Sequence, residues 1–134
     1  MNRQFSIIVA VLIIILAVIV YYSFKFINNR KGTLYKSEII KITICKPQPI
    51  CDISYRLTSK EVENFISKWN GGNSLGYDKL SCSYYLDVYL VNGKKRSFGI
   101  AQDEITENWG GGIIYSIGDK NYFDSLYTLL KARH

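Results

Sequence analysis

Residues 5–24 read FSIIVAVLIIILAVIVYYSF, an uncharged run behind the short tail Met1, Asn2, Arg3, Gln4. A helix rises about 1.5 Å per residue, so this run reaches about 30 Å, the thickness of a bilayer's hydrocarbon layer. The run is apolar on every face, whereas a core helix in so small a protein keeps a polar side. It exceeds the roughly 7–15 apolar residues of a cleaved signal peptide, and bulky aromatics stand where small residues precede a cleavage site. No cysteine closes it for lipid attachment. The reading is an uncleaved transmembrane signal-anchor. Tyr21, Tyr22, Phe24 and Phe26 form an aromatic belt suited to the headgroup level.

The sequence then divides into a basic tail at 1–4, the anchor at 5–24, a juxtamembrane linker at 25–36 and one small globular domain at 37–134. About a hundred residues suffice for a single hydrophobic core. Orientation is set by opposing signals. Arg3 precedes the run, while Lys25, Arg30, Lys31 and Lys36 come after it, which by the positive-inside rule keeps the domain in the cytoplasm. A short basic tail before an apolar run is nevertheless the usual form of an anchor that exports the domain behind it. The expectation is an extracytoplasmic domain, periplasmic or extracellular.

The net charge of +6 does not describe the domain. Residues 1–32 carry Arg3, Lys25, Arg30 and Lys31 and no acid, so most of the excess belongs to the membrane flanks, where it meets anionic headgroups. The domain is nearly balanced, and its densest basic cluster, Lys94, Lys95 and Arg96, falls at a hairpin tip. Nucleic acid is not an expected partner.

Ile40, Ile42 and Ile44 alternate with Lys41 and Thr43, the period of a half-buried strand. Thr58 and Glu61 have capping-box spacing, Leu57 and Val62 hydrophobic-staple spacing, and Val62, Phe65, Ile66 and Trp69 then make one helical stripe that Asn70 and Gly71 end. Trp69 is expected in the core. The next stretch, GGNSLGYDK, reads as a loop.

A second strand, residues 82–91, turns at Asn92-Gly93 and returns over 95–101. A two-residue loop would set Phe98 opposite in facing to Leu86 and Val88. A three-residue loop with a bulge at Gly93 pairs Leu90 with Lys94 and puts Tyr84, Leu86, Val88, Leu90, Phe98 and Ile100 on one face. Because a one-residue slip reverses every side chain, the pattern selects the second register. Tyr85, Asp87, Tyr89, Lys95 and Ser97 then occupy the other face. Residues 103–112 read as a loop, and Ile113, Tyr115 and Ile117 as the alternation of a last strand. Asp119 is the expected N-cap of a final helix carrying Tyr122, Phe123, Leu126, Leu129 and Leu130. The order β-α-β-β-β-α implies an α+β fold: a mostly antiparallel four-stranded sheet with two helices on one face, the crossover through the first helix allowing one parallel pair.

Catalytic signatures are sparse. The sole histidine, His134, is a poor candidate for a general base. Asp103, Glu104 and Glu107 lack EF-hand spacing, and the glycine clusters at 71–72 and 110–112 lack the lysine of a phosphate loop. No metal and no cofactor are expected. Cys45 and Cys51 bracket KPQPI and would staple that loop in an oxidising compartment, leaving Cys82 over; unpaired thiols are the alternative.

Of the eleven tyrosines, all but Tyr21 and Tyr22 lie beyond the anchor. Tyr85 and Tyr89, flanking Asp87 on the polar sheet face, are binding candidates because tyrosine brings large amphipathic area with few rotors. Trp109, beside three glycines, is another. The plainer role of such residues is cross-strand packing. The expected function is a single-pass, membrane-anchored, non-enzymatic domain that binds a protein, as an inhibitor or immunity-type protein or an accessory subunit of an envelope complex. The alternatives are a cytoplasm-facing membrane-complex subunit, a ligand sensor, or a small hydrolase using Asp87, Asp103 and Glu104.

Overall fold

The computed structural model describes residues 2–28, 32–47, 50–108 and 112–134. The chain divides into two units, Met1–Lys31 and Gly32–His134. The first holds helix α1, Arg3–Asn28. Its segment Arg3–Ser23 is long and apolar enough to cross a membrane, a property that signal sequences share.

The second unit is α+β. Its strands are β1 (Ile39–Cys45), β2 (Ser54–Arg56), β3 (Asn73–Asp78), β4 (Tyr84–Leu90), β5 (Lys95–Ala101), β6 (Glu104–Glu107) and β7 (Gly112–Ser116), with helices α2 (Ser59–Asn70) and α3 (Tyr122–Ala132). They form one seven-stranded sheet in the order β2-β1-β4-β5-β6-β7-β3. The four expected strands are present, as β1, β4, β5 and β7. The sheet is larger than expected because β3 and β6 lie in segments read as loops and β2 in a segment assigned no element. Every described pairing is antiparallel. The crossover through α2 makes no parallel pair because it carries the chain from β2 at one edge to β3 at the other.

Helix α2 begins as its spacing predicts. Thr58 Oγ1 accepts from the Glu61 N–H, and the Glu61 carboxylate accepts from the Thr58 N–H at 2.8 Å. Leu57 and Val62 are both buried beside this box. Helix α3 starts later than expected. Asn121 stands at its N-cap, and Asp119 instead accepts from the Asn121 N–H within the preceding turn.

The hairpin takes the three-residue register. Leu86 pairs with Phe98 and Tyr89 with Lys95, the Leu90 N–H donates to the Lys94 carbonyl at 2.9 Å, and Gly93 has φ of 84°, a conformation glycine adopts without steric cost. One sheet face therefore presents Ile42, Ile44, Tyr84, Leu86, Val88, Phe98, Ile100, Ile105 and Tyr115 to the core. Both helices cover this face. Phe65 packs edge-on to Phe98 and Phe123, and Trp69 edge-on to Phe98 and Tyr115, with centroids 4.9–6.2 Å apart. The helices run antiparallel: Arg133 at the end of α3 pairs with Glu61 at the start of α2 at 2.8 Å, while Lys68 near the end of α2 lies 3.7 Å from Asp119 before α3.

The globular unit includes residues from Gly32 onward. Leu34 is buried in the core. Its N–H donates to Asn70 Oδ1 and its carbonyl accepts from Asn70 Nδ2, both at 2.9 Å.

Candidate functional site

The face opposite the helices is built from the alternate residues of the same strands. Three rows cross it. The first is Lys41, Tyr89 and Lys95; the second is Arg56, Thr43, Asp87 and Ser97; the third runs from Ser54 through Cys45, Tyr85, Gly99, Thr106 and Ile114 to Gly76. Tyr85, Asp87 and Tyr89, selected from the sequence, thus share one face on β4. Trp109, the fourth binding candidate, lies outside the described residues.

In the first row the Tyr89 ring is flanked by two ammonium groups, Lys41 Nζ at 4.8 Å and Lys95 Nζ at 6.0 Å from its centroid. A ring's negative face attracts such cations. In the second row Asp87 Oδ1 accepts from Ser97 Oγ at 2.7 Å, which fixes the carboxylate between β4 and β5. Arg56, opposite Thr43, is exposed. Three cations and one carboxylate therefore share this part of the face.

The third row is partly covered by the segment leading into β4. Ser83 N–H donates to the Ile100 carbonyl at 2.7 Å, and Cys82 Sγ lies over Gly99, where a Cβ would overlap it. Thr106 and Ile114 are buried here. Thr106 Oγ1 has no hydrogen-bond partner among the described residues. Burial raises the Cys82 thiol pKa above its ordinary value, against the opposing effect of a hydrogen bond with the Ile100 backbone. Cys45, between Ser54 and Tyr85 in this row, is joined to Cys51 in a disulfide with Cα atoms 5.6 Å apart.

The carboxylates named for a hydrolytic reading do not converge. Asp87 is held by Ser97, whereas Asp103 Oδ2 accepts from Ser116 Oγ at 2.9 Å. Glu104 pairs with Ala101, four residues along β5 from Ser97, or about 13 Å away in an extended strand. His134 stacks on Tyr55, with centroids 5.4 Å apart. No three histidine, cysteine or acidic side chains gather into a metal-binding group among the described residues.

The contributions of Lys41 and Arg56 escaped the sequence reading. The alternation in β1 shows that Lys41 and Thr43 share its polar face. It does not show that β1 lies beside β4, which is what brings Lys41 to Tyr89. The chain matches no protein-family model, no curated protein and no solved structure with which it was compared.

Proposed function

We propose that this chain is a single-pass membrane protein whose α+β domain binds a protein partner outside the cytoplasm, without catalysing a reaction. It would act as an inhibitor or immunity-type protein, or as an accessory subunit of an envelope complex. The observation that carries this reading is the sheet face away from the helices, where Tyr85, Asp87 and Tyr89 stand among Lys41, Lys95 and Arg56. Rigid tyrosines amid fixed charges provide contact area with a small entropic cost of ordering. The surplus of cations selects a partner with an acidic patch. An anchor adds a high local concentration, so modest affinity suffices. The Cys45–Cys51 disulfide favours an oxidising compartment.

A second reading keeps the domain in the cytoplasm as a subunit of a membrane complex. Lys25, Arg30, Lys31 and Lys36 on the domain side of the anchor favour it.

Photo-crosslinking in intact cells tests the binding face. A photoreactive residue replacing Tyr85 or Tyr89 is expected to trap a discrete protein, while one replacing Ser125 or Lys131 on α3 traps none. Crosslinks from α3 alone, or equal yields from both faces, would overturn the proposal.

A further inference from the structure

The short strand β2 pairs only with the last three residues of β1, from Thr43 to Cys45. Beyond that point the edge of β1 is notched. The chain leaves β2, returns one hydrogen bond from Leu57 N–H to the Ile42 carbonyl at 2.9 Å, and enters α2. The notch is a cavity of about 170 Å³ between β1, the turn before it and the start of α2. That is room for roughly five water-sized volumes, or for one tetrahedral oxyanion with part of its hydration.

Its lining is basic. Lys36, Lys41 and Arg56 stand around it with the Ser59 hydroxyl, over a floor of Ile39, Leu57 and Val62. Lys36 is paired with Glu63. Lys41 rests its ammonium over the Tyr89 ring, 4.8 Å from the centroid, while Arg56 forms no ion pair among the described residues. The apolar floor lowers the local dielectric, which strengthens attraction for an anion entering the notch. A guanidinium offers a fork that fits two phosphate oxygens, and each ammonium adds a point charge.

We propose that this notch is a binding site for a phosphate group, held by Arg56, with Lys36, Lys41 and Ser59 at its rim. Two sources share that chemistry: the headgroup of an anionic phospholipid, and a soluble phosphate or phosphomonoester. The site does not depend on the protein-binding reading.

Amide spectra of the full-length chain in lipid nanodiscs test it. In zwitterionic phosphatidylcholine discs, inorganic phosphate is expected to shift the Lys36, Lys41, Arg56 and Ser59 signals saturably, while chloride at equal ionic strength leaves them in place. Arg56→Gln should weaken that response about tenfold, the effect of losing one charge-assisted contact. Lys95→Gln, outside the notch, should leave it unchanged. If discs containing anionic phosphatidylglycerol shift the same amides without added phosphate, the lipid headgroup is the source; if only added phosphate does so, the source is soluble. The proposal is overturned if neither moves these signals, or if Arg56→Gln and Lys95→Gln weaken the response equally, as diffuse surface attraction would require.

Discussion

Trp69 Nε1, near the end of α2, donates to the carbonyl of Gly32 at 2.9 Å. Arg96 Nη2 donates to the same carbonyl at 3.0 Å while its guanidinium pairs with Glu107. With the two Asn70–Leu34 bonds, these contacts bind the first residues of the globular unit to α2 and β5. The start of the domain is thus part of its fold rather than a loose leader.

Asn70 is the residue to change in this clasp, because its amide satisfies both backbone groups of the buried Leu34. Asn70→Ala leaves those groups without their bonds and should lower stability by about 2 kcal/mol. Denaturant unfolding of the full-length chain measures this. A loss below about 0.5 kcal/mol, within the range of ordinary surface changes, would show that the clasp is not part of the cooperative fold.

The capping box couples stability to pH. Burial pushes the Glu61 carboxyl upward, but hydrogen bonds from the Thr58 backbone and hydroxyl, together with the Arg133 guanidinium, outweigh it and hold the pKa below its ordinary value of 4.5. A depressed folded-state pKa gives stability that is full above the unfolded value and lost as pH falls through the folded one. The urea midpoint should therefore drop below about pH 4.5, and Glu61→Gln should flatten part of that fall. Thr58→Ala should cost about 1 kcal/mol at neutral pH. An unchanged acid slope in Glu61→Gln would remove Glu61 from the account.

Gly99 and Cys82 form a close pair across the outer sheet face. A Cβ at Gly99 would overlap Cys82 Sγ, so Gly99→Ala should destabilise by about 1–3 kcal/mol. Cys82→Ala removes the sulfur and should recover most of the loss. Additive costs in the double variant would show that the strain lies elsewhere.

The disulfide closes a short loop, since Cys45 and Cys51 are six residues apart in sequence. Loop-closure entropy for that length gives about 2 kcal/mol. Reduction, or Cys51→Ser, should lower stability by that order while the core containing Ile42 and Ile44 persists. Complete unfolding on reduction would mean that β1 depends on the bridge.

The parts of this fold legible in the sequence were those fixed by local chemistry. Thr58 and Glu61 announce a cap, Val62 to Trp69 a stripe, and Asn92-Gly93 a turn whose register the flanking Leu86 and Phe98 decide. The missed strands lack that contrast. β3, NSLGYD, carries Gly76 with φ of 96° and lies at a sheet edge with Leu75 and Tyr77 exposed. β6, EITE, buries Ile105 and Thr106 on opposite faces, so polarity does not alternate along it. β2 has three residues. Such strands are specified by neighbours distant in sequence rather than by their own pattern. The candidate site divides the same way: Tyr85, Asp87 and Tyr89 can be read from the alternation within β4, whereas Lys41 and Arg56 come from strand order.

The central claim is a tethered domain exposed outside the cytoplasm. A membrane-impermeant maleimide applied to intact cells tests it most directly, using the Cys82→Ala chain so that Cys45 and Cys51 are the remaining thiols. The account predicts labelling only after prior reduction with an impermeant phosphine. Labelling that appears only after lysis, with or without reduction, would contradict it and favour the cytoplasm-facing subunit.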